Sequence, residues 1–94
     1  MNDLELFNRL ARLARPAHTE YVPLTDLNTP FPETGLDSMD GLMLSIFYGD
    51  IYGVPDEIAK EFVFETPAQL LDLIKQHKTM EPESVDAALE RVKW

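Results

Sequence analysis

Ser38-Met39-Asp40-Gly41-Leu42-Met43-Leu44-Ser45-Ile46-Phe47-Tyr48-Gly49-Asp50-Ile51-Tyr52 is an apolar-rich run entered through Gly35-Leu36-Asp37 and left at Gly53. Met39, Leu42, Met43, Leu44, Ile46, Phe47, Tyr48, Ile51 and Tyr52 cover more than one helical face. The run therefore predicts a helix over 38–52 that is central, or that offers apolar surface to a partner. Gly53 is placed to end it as the residue after the last turn. Gly41 and Gly49 inside it each cost about 1 kcal/mol relative to Ala. Either they permit close backbone approach or packing tolerates them; the spacing fits both.

Outward from this run the chain reads as further helices. Leu6, Phe7, Leu10, Leu13 and Ala14 recur at helical spacing over 3–15, with Arg9, Arg12 and Arg15 off the stripe. Asp3 is the expected cap and Pro16 the expected stop. The connection from Pro16 to Asp37 is long for a compact helical domain, so Leu24, Leu27 and Phe31 are expected to drop onto the core. After Gly53, Pro55-Asp56-Glu57 opens a short helical element reaching Phe62. Thr66-Pro67-Ala68-Gln69 reads as a capping box with Pro in the first turn, followed by Leu70, Leu71, Leu73 and Ile74. Val85, Leu89 and Val92 form one stripe in a last amphipathic segment, 82–92. No strand alternation appears. The expectation is an all-α fold of three main helices and a short one over 1–78, with 79–94 a helical extension of the same domain.

The chain has 94 residues, 45% of them hydrophobic, which suits one modest core and leaves no room for a deep catalytic cavity. It has no cysteine, so neither a disulfide frame nor a thiolate metal site is available. The start, Met1-Asn2-Asp3-Leu4-Glu5, lacks the basic and apolar regions of a secretory signal, and no segment has the length to span a bilayer. A cytoplasmic monomer without a membrane span is expected. The net charge of −9 argues against nucleic-acid partners, whose phosphates are bound through Lys and Arg. Between Pro16 and Ala59 there is no Lys or Arg, while Glu20, Asp26, Glu33, Asp37, Asp40, Asp50, Asp56 and Glu57 lie there. That one-signed segment would steer basic partner surfaces toward Ser38 or, more simply, keep the surface solvated.

Ser38 is the nucleophile-type side chain of the motif, and nothing nearby in sequence looks able to activate it. A nucleophile elbow needs Gly-x-Ser-x-Gly after a strand, whereas here Gly35 and Gly41 stand three residues either side of Ser38. The candidate bases, His18 and His77, fall in a loop and at a helix end, so an enzyme is not expected. Asp37, Asp40 and Gly41 lack the alternating ligands and closing glutamate of a calcium loop, and no metal site is expected. A helix start does expose unpaired N–H groups that favour a phosphate carried on a hydroxyl there. The plainer reading makes Ser38 the helix N-cap, worth about 1 kcal/mol.

Gly35-Leu36-Asp37-Ser38-Met39-Asp40, the apolar helix after it, Tyr52-Gly53-Val54-Pro55-Asp56-Glu57 and Thr66-Pro67-Ala68-Gln69-Leu70-Leu71-Asp72-Leu73-Ile74 together resemble the acyl carrier protein family. The resemblance covers roughly 3–78 in motif and in order of elements. It implies an acyl-carrier-like four-helix bundle, to which the C-terminal helix is an addition. It also implies that Ser38 carries 4′-phosphopantetheine, installed from coenzyme A by a phosphopantetheinyl transferase, with Asp37 assisting that modification. The arm would hold acyl groups as thioesters for acyl-loading, acyl-transfer or synthase enzymes of fatty acid, lipid or polyketide-type biosynthesis. Met39, Asp40, Met43 and Asp50 are the residues expected to meet those partners, and the methionines of the helix would also line a cargo pocket.

The chain departs from the family's pattern in three places. The motif helix is poor in Glu, with Gly41, Met43, Ser45 and Gly49 at the positions expected to face outward. The segment after Gly53 is short, and the extension 79–94 is additional. These departures point to a specialised carrier in a dedicated pathway. The competing readings are an aminoacyl or peptidyl carrier, which differs in cargo, and a helical adaptor that is never modified.

Overall fold

Helix α2 (Ser38–Tyr52) runs through the middle of the molecule, and every other helix packs against it. The computed structural model describes residues 2–15 and 20–92. Around α2 stand α1 (Asp3–Ala14), α3 (Asp56–Ala59), α4 (Pro67–His77) and α5 (Val85–Arg91), and a 3-10 turn over Phe31–Glu33 precedes it. The described residues contain no strand. Leu44, Phe47, Tyr48, Ile51 and Tyr52 are all buried, as the many-sided apolar pattern requires of a central helix.

The start of α1 differs from expectation by one residue, and α4 starts as expected but without the full capping box. Asn2, not Asp3, caps α1 by accepting the Glu5 N–H at 3.0 Å. Leu6, Phe7, Leu10 and Ala11 form its buried face, and Leu13, expected on that stripe, is 55% exposed. Pro16, the expected stop, and His18 lie outside the described residues. Thr66 caps α4 through the Gln69 N–H at 3.2 Å, but the Gln69 side chain reaches back one residue further and accepts from Glu65 N–H at 2.7 Å. The short element closes sooner than expected, with α3 ending at Ala59.

Gly49 explains itself in the structure. A Cβ built there would stand 2.8 Å from the Val54 carbonyl oxygen and 3.2 Å from the Ala59 side chain. Close approach of the Val54–Ala59 segment to α2, rather than tolerance, is the reason for that glycine. The same turn is closed by Val54 N–H donating to Gly49 O at 2.8 Å.

The long connection is tied down from both sides. The Asn8 carboxamide accepts from Tyr21 Oη–H at 2.6 Å and Leu24 N–H at 2.8 Å, and donates to Leu24 O at 3.0 Å. Further along, Ala68 N–H donates to Leu27 O and Phe31 N–H to Glu65 O. Leu24, Leu27 and Phe31 pack on the core as expected, and the Phe31 ring meets Phe64 edge-on at 5.4 Å. Backbone polar groups of a loop crossing a core need such partners.

Helix α5 is capped by Ser84, whose hydroxyl accepts from Ala87 N–H at 3.1 Å. It lays Val85 and Ala88 on α1 and α2, with Val92 just beyond, and Arg9 faces Asp86 at 3.8 Å. Leu89 is half-buried beside them. The segment leading into α5 is fastened to the end of α2, where Thr79 donates its N–H to Tyr52 O and its hydroxyl to Gly53 O.

Candidate functional site

The approach to Ser38 is built from the loop that turns into α2. The Thr34 hydroxyl donates to Phe31 O at 2.6 Å and accepts from Leu36 N–H at 3.2 Å. Gly35 then takes φ +83°, a left-handed value that strains other residues, and Leu36 is buried as an anchor. Asp37 is the N-cap of α2. Its Oδ1 accepts from Asp40 N–H at 2.9 Å, while Asp40 Oδ2 accepts from Asp37 N–H at 3.1 Å. The plainer reading of Ser38 as the cap is therefore corrected. Ser38 is the first residue inside the helix, exposed, and its hydroxyl engages no other described residue.

Arg15 closes this region from another helix. It leaves the end of α1, donates from Nη1 to the Gly35 carbonyl, and faces Asp40 Oδ2 at 3.6 Å. The two side chains are 18% and 8% exposed. The stretch free of Lys and Arg in sequence thus receives one buried guanidinium in space. A signal for it exists in the register, since Arg15 continues the line Phe7–Ala11 at four-residue steps along α1.

The remaining site residues are distributed unevenly. Met39 is 67% exposed and Leu42 41%, with Met43 half-buried below Met39 one turn on. Gly41, Ser45 and Gly49, expected to face outward, are buried, and Ser45 Oγ donates to Gly41 O within the helix. Asp40, expected at a partner surface, is spent on the cap and on Arg15. Asp50 is exposed but lies roughly 18 Å along the helix from Ser38, and its carboxyl is raised by partial desolvation, by the Asp56 charge and by a hydrogen bond with Asp56. Met39 and Met43 share a face near Ser38; Asp50 stands apart from them.

Of the two candidate bases, His18 lies outside the described residues and His77 is not beside Ser38. Lys75 pairs with Asp3 at 3.0 Å, which puts the end of α4 at the start of α1, whereas Arg15 puts the end of α1 at the start of α2. His77 therefore stands at the opposite end of the bundle from Ser38, with Nδ1 against Leu73 O at 2.9 Å and its ring on Phe62. Among the described residues no three His, Cys, Asp or Glu side chains gather as metal ligands, and no helix is long and apolar enough to cross a membrane.

One open groove of about 850 Å³ runs between α1, α2 and α5, lined by Leu13, Met43, Phe47, Leu89 and Val92 under a charged rim that includes Arg9 and Asp86. It is an open trough on the helix-packing surface.

Compared with protein-family models, with curated proteins and with solved structures, the chain matches none. The likeness to acyl carriers accordingly rests on the motif and the order of elements.

Proposed function

We propose that the chain is an acyl carrier, with Ser38 the point of attachment of a 4′-phosphopantetheine arm. The observation that carries this reading is the setting of Ser38: an exposed hydroxyl, engaged by no other described residue, on the first turn of the central helix and held between a pinned loop and a closed cap. A serine presented that way, with no base beside it among the described residues, suits modification by another enzyme better than catalysis. In that modification Ser38 Oγ forms an ester bond to the phosphorus bearing pantetheine. The diphosphate P–O bond of coenzyme A breaks, adenosine 3′,5′-bisphosphate leaves, and the hydroxyl proton passes to a base of the transferase.

The arm then carries its acyl group between enzymes by raising the local concentration of cargo at each. Exposed Met39 and Leu42 beside Ser38 supply the partner-facing surface, with Asp37 next to the modified hydroxyl. Met43 in the α1–α2–α5 groove is adaptable enough to accommodate an apolar cargo chain. The exposed Met39 and Leu42 also favour the adaptor reading, in which that face binds a protein and Ser38 stays bare.

Intact mass after incubation with coenzyme A and a promiscuous phosphopantetheinyl transferase separates these readings. The carrier gains one phosphopantetheine and the Ser38→Ala variant gains none. An unmodified, folded chain beside a working positive control leaves the adaptor.

A further inference from the structure

We propose that Arg15 is a positioning residue for modification at Ser38, an inference that rests on reading Ser38 as the attachment point. Arg15 belongs to α1 and grips the motif on both sides of the serine. Its Nη1 donates to the carbonyl of Gly35, three residues before, and faces the carboxylate of Asp40, two residues after. Asp40 in turn accepts the backbone N–H of Asp37, the residue directly ahead of Ser38. One side chain thereby fixes the left-handed peptide at Gly35 and the first turn of α2 together.

The arrangement is a poor investment in stability. The guanidinium is largely buried, and its Nε–H is buried without an acceptor among the described residues. Buried ion pairs replaced by apolar groups of similar volume are frequently neutral or stabilising, and an orphaned donor adds cost. What the contact delivers is geometry: a single orientation of the 35–38 backbone, and so of the Ser38 hydroxyl offered to the transferase. Misplacing a reacting atom by about an ångström costs on the order of a hundredfold in rate.

The test compares the wild-type chain, Arg15→Lys, and the double variant Arg15→Met/Asp40→Asn. The double variant removes both charges at once, and the amide oxygen of the D40N change can still accept from Asp37 N–H. Amide exchange of residues 35–38 and the thermal midpoint are measured on unmodified protein, and kcat and KM with a phosphopantetheinyl transferase and coenzyme A. The double variant is expected to keep or raise its midpoint. Its exchange over 35–38 should quicken, and kcat/KM fall by about tenfold or more, chiefly in kcat. Arg15→Lys, which retains the charge, should recover part of that loss. Exchange or kcat/KM that stays at the wild-type level in the double variant overturns the inference, as does a loss of activity that merely follows a loss of fold. A wild-type chain that accepts no arm overturns the carrier reading instead, and with it the role in modification; exchange then still decides whether Arg15 holds the loop.

Discussion

Asp37 and Asp40 each accept the other's backbone N–H, at 2.9 Å and 3.1 Å, so two aspartates close the start of α2 and leave the serine between them unspent. A serine cap would have tied its own hydroxyl to the helix; an aspartate cap one residue earlier keeps that oxygen available. Asp37→Ala removes the larger half of the box and should lower stability by about 1 kcal/mol. Asp37→Ser should retain most of it. Urea unfolding of the two variants against wild type checks both.

Gly49 faces the Val54 carbonyl at a distance that no β-carbon tolerates. The blocking atom is backbone, so relief requires α2 and the Val54–Ala59 segment to part. Gly49→Ala should cost about 2 kcal/mol despite the better helix propensity of Ala. A thermal midpoint equal to or above wild type would show that the segment yields freely.

Tyr48 is fully buried, and its hydroxyl has no hydrogen-bond partner among the described residues. Burial is also the main cause that pushes its phenol well above the usual range, followed by the neighbouring Tyr52 and Asp3. Removing an unsatisfied buried hydroxyl while keeping the ring should stabilise the chain by about 1 kcal/mol. Tyr48→Phe measured by chemical denaturation gives the answer, and a destabilised variant would mean that the hydroxyl is satisfied after all.

Asp50 gives the acid-range prediction. Its folded carboxyl titrates above its ordinary value of 3.8, first through desolvation and then through Asp56. A raised acid favours folding in its protonated form, so this contribution is full below the ordinary value and is lost as pH rises through the folded one. At neutral pH the ionised group therefore works against the fold, at a helix end where negative charge is disfavoured. Asp50→Asn should raise the thermal midpoint at pH 7, and the gain should fade once the buffer falls below pH 3.8. A gain independent of pH would assign the effect to something other than this charge.

What the sequence made legible follows from which forces are local. The α2 helix was readable because its apolar residues on all sides leave a central position as the natural outcome, and Thr66-Pro67 marked the start of α4 by cap chemistry confined to four residues. Ser38 could be singled out by its place in the motif, but not its exact role in the helix, since Asp37, Ser38 and Asp40 are all competent near a cap. The outward face of α2 was misread for a different reason. Small and polar residues such as Gly41 and Asp40 are usually exposed, yet here they are covered by Phe31 and by Arg15, contacts outside local pattern, while Ser45 turns its hydroxyl back to Gly41 O within the helix. Asn8 and Arg15 act on residues 13 to 25 positions away; the helical register puts Arg15 in line with Phe7 and Ala11 but carries no information on which distant residues it meets.

Asn8 has a kinetic consequence. Its single carboxamide serves Tyr21 and Leu24 at once, from the middle of a helix whose neighbours Phe7 and Leu10 are core. Opening the Tyr21–Leu24 stretch must break three hydrogen bonds to that one side chain. A connection fastened in this way should resist a protease better than a free loop of its length.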